Sequence, residues 1–339
     1  MKNYFKQILR WLPGAIISLA LLGIILHFID LAAVWGSLKK ADPGFLFLSL
    51  VLSIIWFLVR VVMWKTLLQN RPSYKTTFFT LSEGYLMNNF LPFRLGEVGR
   101  AFLLGRKTII PFMEVIPTIV IERAVDLMFT AGILGLSVPF VLGVSSARQL
   151  AFLIGGVMLA GLIGLFILAR KHDWFQNLFL KLSLRSPKVQ MIGGKFLDSF
   201  FKGLFVLTDL GTFLRFLFWI SLSWLIAIVQ FFILVKAFFP QANLTWAMFA
   251  LGAGAFGGAI PSLPGGIGTL DAAVGGAIAL LSKNIDKAAA FVIVMRMINY
   301  LVTGIPALVA LGNEGTTLAA LYRDVTRFRA RSDQSENSE

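Results

Sequence analysis

The chain has 339 residues, 57% hydrophobic and 14% charged, with 31 Lys and Arg against 17 Asp and Glu. A soluble domain usually carries about 25% charged residues, so this composition excludes an ordinary soluble protein and an extended disordered one. The net charge of +14 is first explained by basic cytoplasmic loops rather than by nucleic acid, and the lack of cysteine, with only two histidines, leaves no disulfide framework and no histidine- or thiolate-based metal site.

A helix crossing about 30 Å of hydrocarbon needs roughly 20 mostly apolar residues. Residues 11–29 meet this, preceded by Lys2, Lys6 and Arg10. No small-residue cleavage site follows, so this segment reads as a retained anchor. Span 44–64 comes next, with Arg60 within snorkelling reach of one surface, where a structural role is expected. Segment 76–107 is apolar but broken by Asn88, Asn89, Pro92, Arg94, Gly96, Glu97 and Arg100. Irregular backbone at membrane depth survives only against protein or a water-filled cavity, so the segment predicts a re-entrant hairpin. Span 115–142 carries Glu122, Arg123 and Asp126, and span 150–169 is plainly apolar. A basic linker, 170–212, leads to span 213–238. Segment 246–281, with its glycine run, Pro261, Pro264 and Asp271, predicts a second hairpin, and span 288–312 carries Arg296. Residues 313–339 form a basic, then polar, tail.

The expected fold is therefore an all-α integral membrane protein. It has one polytopic domain, 1–312, with six full spans plus two re-entrant hairpins, or about eight helices. With the N-terminus inside, the inside segments 1–10, 65–114, 170–215 and 313–339 hold 22 basic residues, and the outside segments hold 5. This bias places both termini in the cytoplasm of a multi-pass protein.

Two short motifs recur. Leu91-Pro-Phe-Arg-Leu-Gly96 and Leu263-Pro-Gly-Gly-Ile-Gly268 share Leu-Pro-x-x-(Leu/Ile)-Gly at an offset of 172. Arg123-x-x-Asp126 and Arg296-x-x-Asn299 share Arg-x-x-(Asp/Asn) at an offset of 173. The repeat unit is helix, hairpin, helix, over about 44–142 and 213–312. The topology puts one hairpin inside and the other outside, so the copies are inverted, as in secondary transporters whose broken segments meet near the midplane.

Glu122 and Asp126 share a helix face, and Arg123 is an i,i+3 neighbour of Asp126. Ionised groups at this depth need partners or water. Two readings stand: a polar cavity for a charged group or proton, or a network locking helices together. Arg94, Glu97 and Arg100 read either as a phosphate site built on an arginine fork and helix-start amides, or as inside-facing interfacial charge. Pro264, Gly265, Gly266 and Gly268 break regular helix, and Asp271 follows; a cavity lining or a plain turn both fit. The glycines at 252, 254, 257 and 258 read as close helix packing.

No phosphate-loop or His-Glu-x-x-His motif occurs, so neither an ATPase of that type nor a metal enzyme is expected, and no cofactor. The motif series, in order, closely resembles the lysylphosphatidylglycerol synthase transmembrane family, over about residues 10–312. This is a flippase-like family that includes the membrane half of the multiple peptide resistance factors. The resemblance implies a prokaryotic inner-membrane protein that translocates or handles lipids. In two-part members the membrane half flips an aminoacylated phosphatidylglycerol made by a C-terminal synthase. This sequence ends before such a synthase, so lipid aminoacylation is not expected.

The leading expectation is a flippase or scramblase acting without ATP hydrolysis on a phosphate-containing lipid. That lipid would be a phospholipid, an aminoacylated phosphatidylglycerol or a polyprenyl phosphate. Arg94, Arg100, Arg123 and Arg296 would hold phosphate. Glu97, Glu122, Asp126 and Asp271 would balance them, bind a cationic headgroup part or titrate, and Asn299 would join the site. The alternatives are an intramembrane transferase on a lipid-linked sugar, and a non-catalytic partner of an envelope-lipid biosynthetic enzyme. Expected partners are membrane lipids, with a homo-oligomer or that enzyme as further ones, and no nucleic acid.

Overall fold

In the computed structural model the described residues are 30–91, 95–141, 209–260 and 263–315, with scattered positions between 143 and 167. The span at 11–29, the residue Arg94, Pro261, most of the linker and the tail beyond Gly315 lie outside them, and the span at 150–169 is described only in part.

Short polar caps start the helices. Asp42 accepts from the amides of Gly44 and Phe45, and Pro43 occupies the first helical turn, where its missing amide costs nothing. Ser73, Asp209, Asn243 and Asn284 cap four further helices in the same way. The resulting order is α1 (Leu31–Lys40), α2 (Pro43–Leu67), α3 (Tyr74–Phe90), α4 (Leu95–Lys107), α5 (Phe112–Val141), α6 (Leu210–Phe238), α7 (Leu244–Ala259), α8 (Thr269–Ser282), α9 (Ile285–Asn299) and α10 (Ile305–Asn313). A 3-10 turn, Pro264–Gly266, precedes α8, and a π turn, Tyr300–Gly304, joins α9 to α10. Pro306 sits just after that π turn, at the start of α10, where its missing amide donor accounts for the bulge.

The protein is an all-α integral membrane protein. Five segments are long and apolar enough to cross a bilayer: Pro43–Leu67, Phe112–Val141, Leu210–Phe238, Pro264–Ser282 and Ile285–Asn313. Four of them coincide with predicted full spans. The fifth is the second arm of the second predicted hairpin together with its 3-10 turn.

The four-part order long, short, short, long occurs twice, as α2–α5 and as α6 to α9–α10. The hairpin arms α3, α4, α7 and α8 have 17, 13, 16 and 14 residues. At 1.5 Å per residue the arms alone reach roughly 20–26 Å, short of a full hydrocarbon crossing, which α8 approaches together with its 3-10 turn. The halves are inverted. At one end of the molecule Asp42 N donates to Ala237 O, and Asp30 N to Asp286 Oδ1. At the other end Arg71 pairs with Glu114, and Lys107 with Glu314. The base of the second hairpin lies at the first end and the base of the first hairpin at the second.

Glycines set how close the arms come. A Cβ on Gly96 would overlap the carbonyl of Gly84, and one on Gly257 would press on Ala273 and the carbonyl of Thr269. Each hairpin therefore closes backbone on backbone. Gly252 faces Leu134 of α5 in the same manner, so the glycine run packs helices, as its spacing indicates. The first helices of the two halves, α2 and α6, pack along their length, with Phe57, Val61, Trp64, Phe216 and Ile220 buried.

Candidate functional site

The hairpin tips meet at the centre of the molecule. Gly265, with φ of 70°, lies against the backbone of Asn89, and a Cβ there would stand 3.0 Å from the Asn89 carbonyl oxygen. Gly268, with φ of 88°, then turns the chain into α8. Both conformations suit glycine because a side chain would clash. In the first hairpin the tip is held by Asn88 Oδ1, which accepts from Gly96 N at 2.9 Å. In the second, Asp271 Oδ2 accepts from Gly268 N at 3.0 Å.

Around the tips lies a cavity of about 410 Å³, walled by both halves. The first half contributes Arg60, Tyr85, Asn89, Arg123 and Asp126. The second contributes Trp224, Gln230, Gly265, Arg296 and Asn299. The repeated Arg-x-x-(Asp/Asn) motifs thus face one space from two sides.

Behind the wall of the first half is a buried ion network. Arg60 Nη1 donates to Asp126 Oδ1 at 2.9 Å, and Arg60 Nη2 to Asp126 Oδ2 at 2.7 Å and Glu122 Oε1 at 2.8 Å. Arg100 Nη2 donates to Glu122 Oε2 at 2.7 Å, with its guanidinium carbon 4.8 Å from the centre of the Trp64 ring. Arg123 Nη2 lies 2.6 Å from Glu122 Oε1 and 3.0 Å from Asp126 Oδ2, and its Nε is 3.7 Å from Glu97 Oε1. Trp224 Nε1 donates to Asp126 Oδ1 at 3.0 Å, tying in the other half. Three arginines face three acids, so the network is neutral as a whole. Charges buried this deeply persist only when so paired.

In the second half, Arg296 Nε donates to Asp271 Oδ1 at 2.7 Å and Nη1 to Gly265 O at 2.5 Å. The arrangement matches the first half. Glu97 and Asp271 are each the third residue of their hairpin arm, and each faces the arginine of the following long helix. Both halves carry buried donors with no hydrogen-bond partner among the described residues: Arg296 Nη2 in the second, and Asn89 Nδ2 and the Nε atoms of Arg60, Arg100 and Arg123 in the first.

Of the residues expected from sequence, Arg123, Asp126, Gly265, Arg296 and Asn299 line the cavity. Glu122 and Arg100 sit behind it in the network. Glu97 stands beside Arg123, and Asp271 holds Arg296 from outside the wall. Pro264, Gly266 and Gly268 shape the tip without lining the space. Arg94 lies outside the described residues. Sequence reasoning misplaced Arg60. It does not snorkel: it is 4% exposed and joins both acids of α5. Trp224, Asn89 and Tyr85 were also missed as wall residues. Ser223, Trp224 and Gln230 are polar-edged residues inside an otherwise apolar span, and that was the available signal for Trp224.

Glu83 holds Lys107 at 2.6 Å, and Lys107 also reaches Glu314. This fixes the base of the first hairpin to the end of α10. Among the described residues no group of three or more His, Cys, Asp or Glu could hold a metal ion.

Two inverted helix–hairpin–helix halves closing on a charged cavity define a polytopic membrane protein built as an inverted repeat. The profile of the lysylphosphatidylglycerol synthase transmembrane region matches residues 11–307, so the chain belongs to that family of lipid-handling membrane proteins. Among curated proteins and among solved structures nothing matches the chain.

Proposed function

We propose that the protein is a lipid flippase or scramblase that moves a phosphate-containing lipid headgroup through the cavity between the hairpin tips, without ATP hydrolysis. The observation that carries this is the convergence of Arg123 and Arg296, one from each half, on one cavity, with unpartnered buried donors on the wall residues Asn89 and Arg296. A space of about 410 Å³ is at the small end of ligand-pocket sizes. It suits a headgroup and leaves two acyl chains in the bilayer. Guanidinium groups bind phosphate through charge-assisted bonds, which strengthen away from water. The inverted halves supply two related arrangements of one site, as alternating access requires. The excess of basic residues in the segments read as inside supports an orientation with both termini in the cytoplasm, in the plasma membrane of a prokaryote.

The test is purified protein in liposomes that carry a trace of acyl-labelled phospholipid. Faster loss of sidedness than in protein-free vesicles supports the proposal. Unchanged sidedness, with and without a pH gradient or membrane potential, refutes it.

A further inference from the structure

We propose that the cavity selects anionic phosphate headgroups bearing hydroxyls and no ammonium group. This rests on the reading of the cavity as a headgroup site and names its substrate class. A cationic headgroup needs a carboxylate oxygen with a free lone pair, or an open aromatic face. Among the described residues the cavity wall has one acid, Asp126. Its Oδ1 accepts from Arg60 and Trp224, and its Oδ2 faces Arg60 and Arg123. Four donors fill the roughly four lone-pair positions of a carboxylate. Behind the wall, Glu122 is taken by three arginines, and Asp271 by Arg296 and the Gly268 amide. Glu83 is the described acid with an unpartnered buried oxygen, but it faces Lys107 and is not on the wall.

Each aromatic ring of the described wall already has a neighbour on one side. The Arg60 guanidinium carbon stands 5.9 Å from the centre of the Trp56 ring, and Trp224 stacks on Phe129 at 5.8 Å. An ammonium in the cavity would stand beside Arg60, Arg123 and Arg296.

The surplus is on the donor side. Arg296 Nη2 and Asn89 Nδ2 are buried without partners, on residues of the wall. Phosphate oxygens are the acceptors that would satisfy them. The hydroxyls of Thr130, Ser223 and Thr303 donate to carbonyls of their own helices, which leaves their oxygens as acceptors. Such oxygens accept from headgroup hydroxyls, as a glycerol or sugar supplies, but do not neutralise a cation.

The experiment compares lipids with one acyl-chain fluorophore and different headgroups: glycerol, ethanolamine and lysyl-glycerol. Each is placed in vesicles containing the protein, and a membrane-impermeant reductant reads sidedness. The expected result is translocation of the glycerol lipid about tenfold faster than either amine-bearing lipid. Equal or faster movement of an amine-bearing lipid overturns this inference and leaves the flippase reading standing. No movement of any lipid overturns both.

Asn89→Asp adds a carboxylate to the wall with little change of shape. It is expected to slow the glycerol lipid and accelerate the amine-bearing ones. Asn89→Leu is expected to slow the glycerol lipid with no gain for the others. Unchanged headgroup preference in a folded Asn89→Asp protein overturns the inference.

Discussion

Glu122→Gln tests whether the first-half network is the buried scaffold that positions Arg123. The Glu122 carboxylate is fully buried and faces Arg60, Arg100 and Arg123 at 2.8, 2.7 and 2.6 Å. Glutamine keeps the shape but removes the charge, leaving three arginines against Glu97 and Asp126. Removing one partner from a buried ion pair costs about 3–5 kcal/mol, because an uncompensated charge remains in a dry interior. Glutamine still offers one acceptor oxygen, so the expected loss is about 3 kcal/mol, roughly a hundredfold in the unfolding equilibrium. The assay is equilibrium unfolding in mixed micelles, followed by far-UV circular dichroism and tryptophan fluorescence. A loss under about 1 kcal/mol, the range of exposed ion pairs, would refute the reasoning and mean that water reaches Glu122.

Four further outcomes are expected. Arg296→Gln should abolish most lipid movement and cost less stability than Glu122→Gln, because its pair with Asp271 is partly exposed and involves one acid; a larger stability loss than Glu122→Gln with normal transport would contradict this. Trp224→Phe removes the Nε1 bond to Asp126 and should cost about 1.5–3 kcal/mol, measured by the same unfolding experiment. Gly265→Val forces a branched side chain into a left-handed conformation against Asn89, and should lower stability by at least about 1–2 kcal/mol and slow transport. Asp209→Ala tests a cap by pH. Hydrogen bonds from the Thr212 hydroxyl and amide hold the Asp209 carboxyl below its usual range. Its contribution is therefore fully present above about pH 4 and fades as pH falls through the lowered value. The melting-temperature gap between wild type and variant should be constant near neutrality and close in acid.

The architecture was legible because its signals are local. Proline, glycine and asparagine clusters break apolar runs at 88–96 and 261–268, and the matched offsets of two motifs revealed the repeat. The site was legible only in part. Arg123 and Arg296 stood out as charges at membrane depth in repeated positions. The partners of Arg60 lie 62 and 66 residues away, and nothing near Arg60 distinguishes a network arginine from a snorkelling one. Arg100 follows a hairpin tip in sequence, yet its helix turns it onto Trp64 and Glu122. The pairing of Asp271 with Arg296 depends on how two helices cross, which spacing does not encode.

The most direct test of the central claim is to lock the hairpin tips together. The chain has no cysteine, so Asn89→Cys with Gly265→Cys gives one defined pair. A Cβ at position 265 would lie 3.5 Å from the Asn89 Cα, near enough for a disulfide. If headgroups pass between the tips, lipid movement in liposomes should stop on oxidation and return, on reduction, to the slower rate of the reduced double variant. Undiminished movement through the fully cross-linked protein would contradict the account.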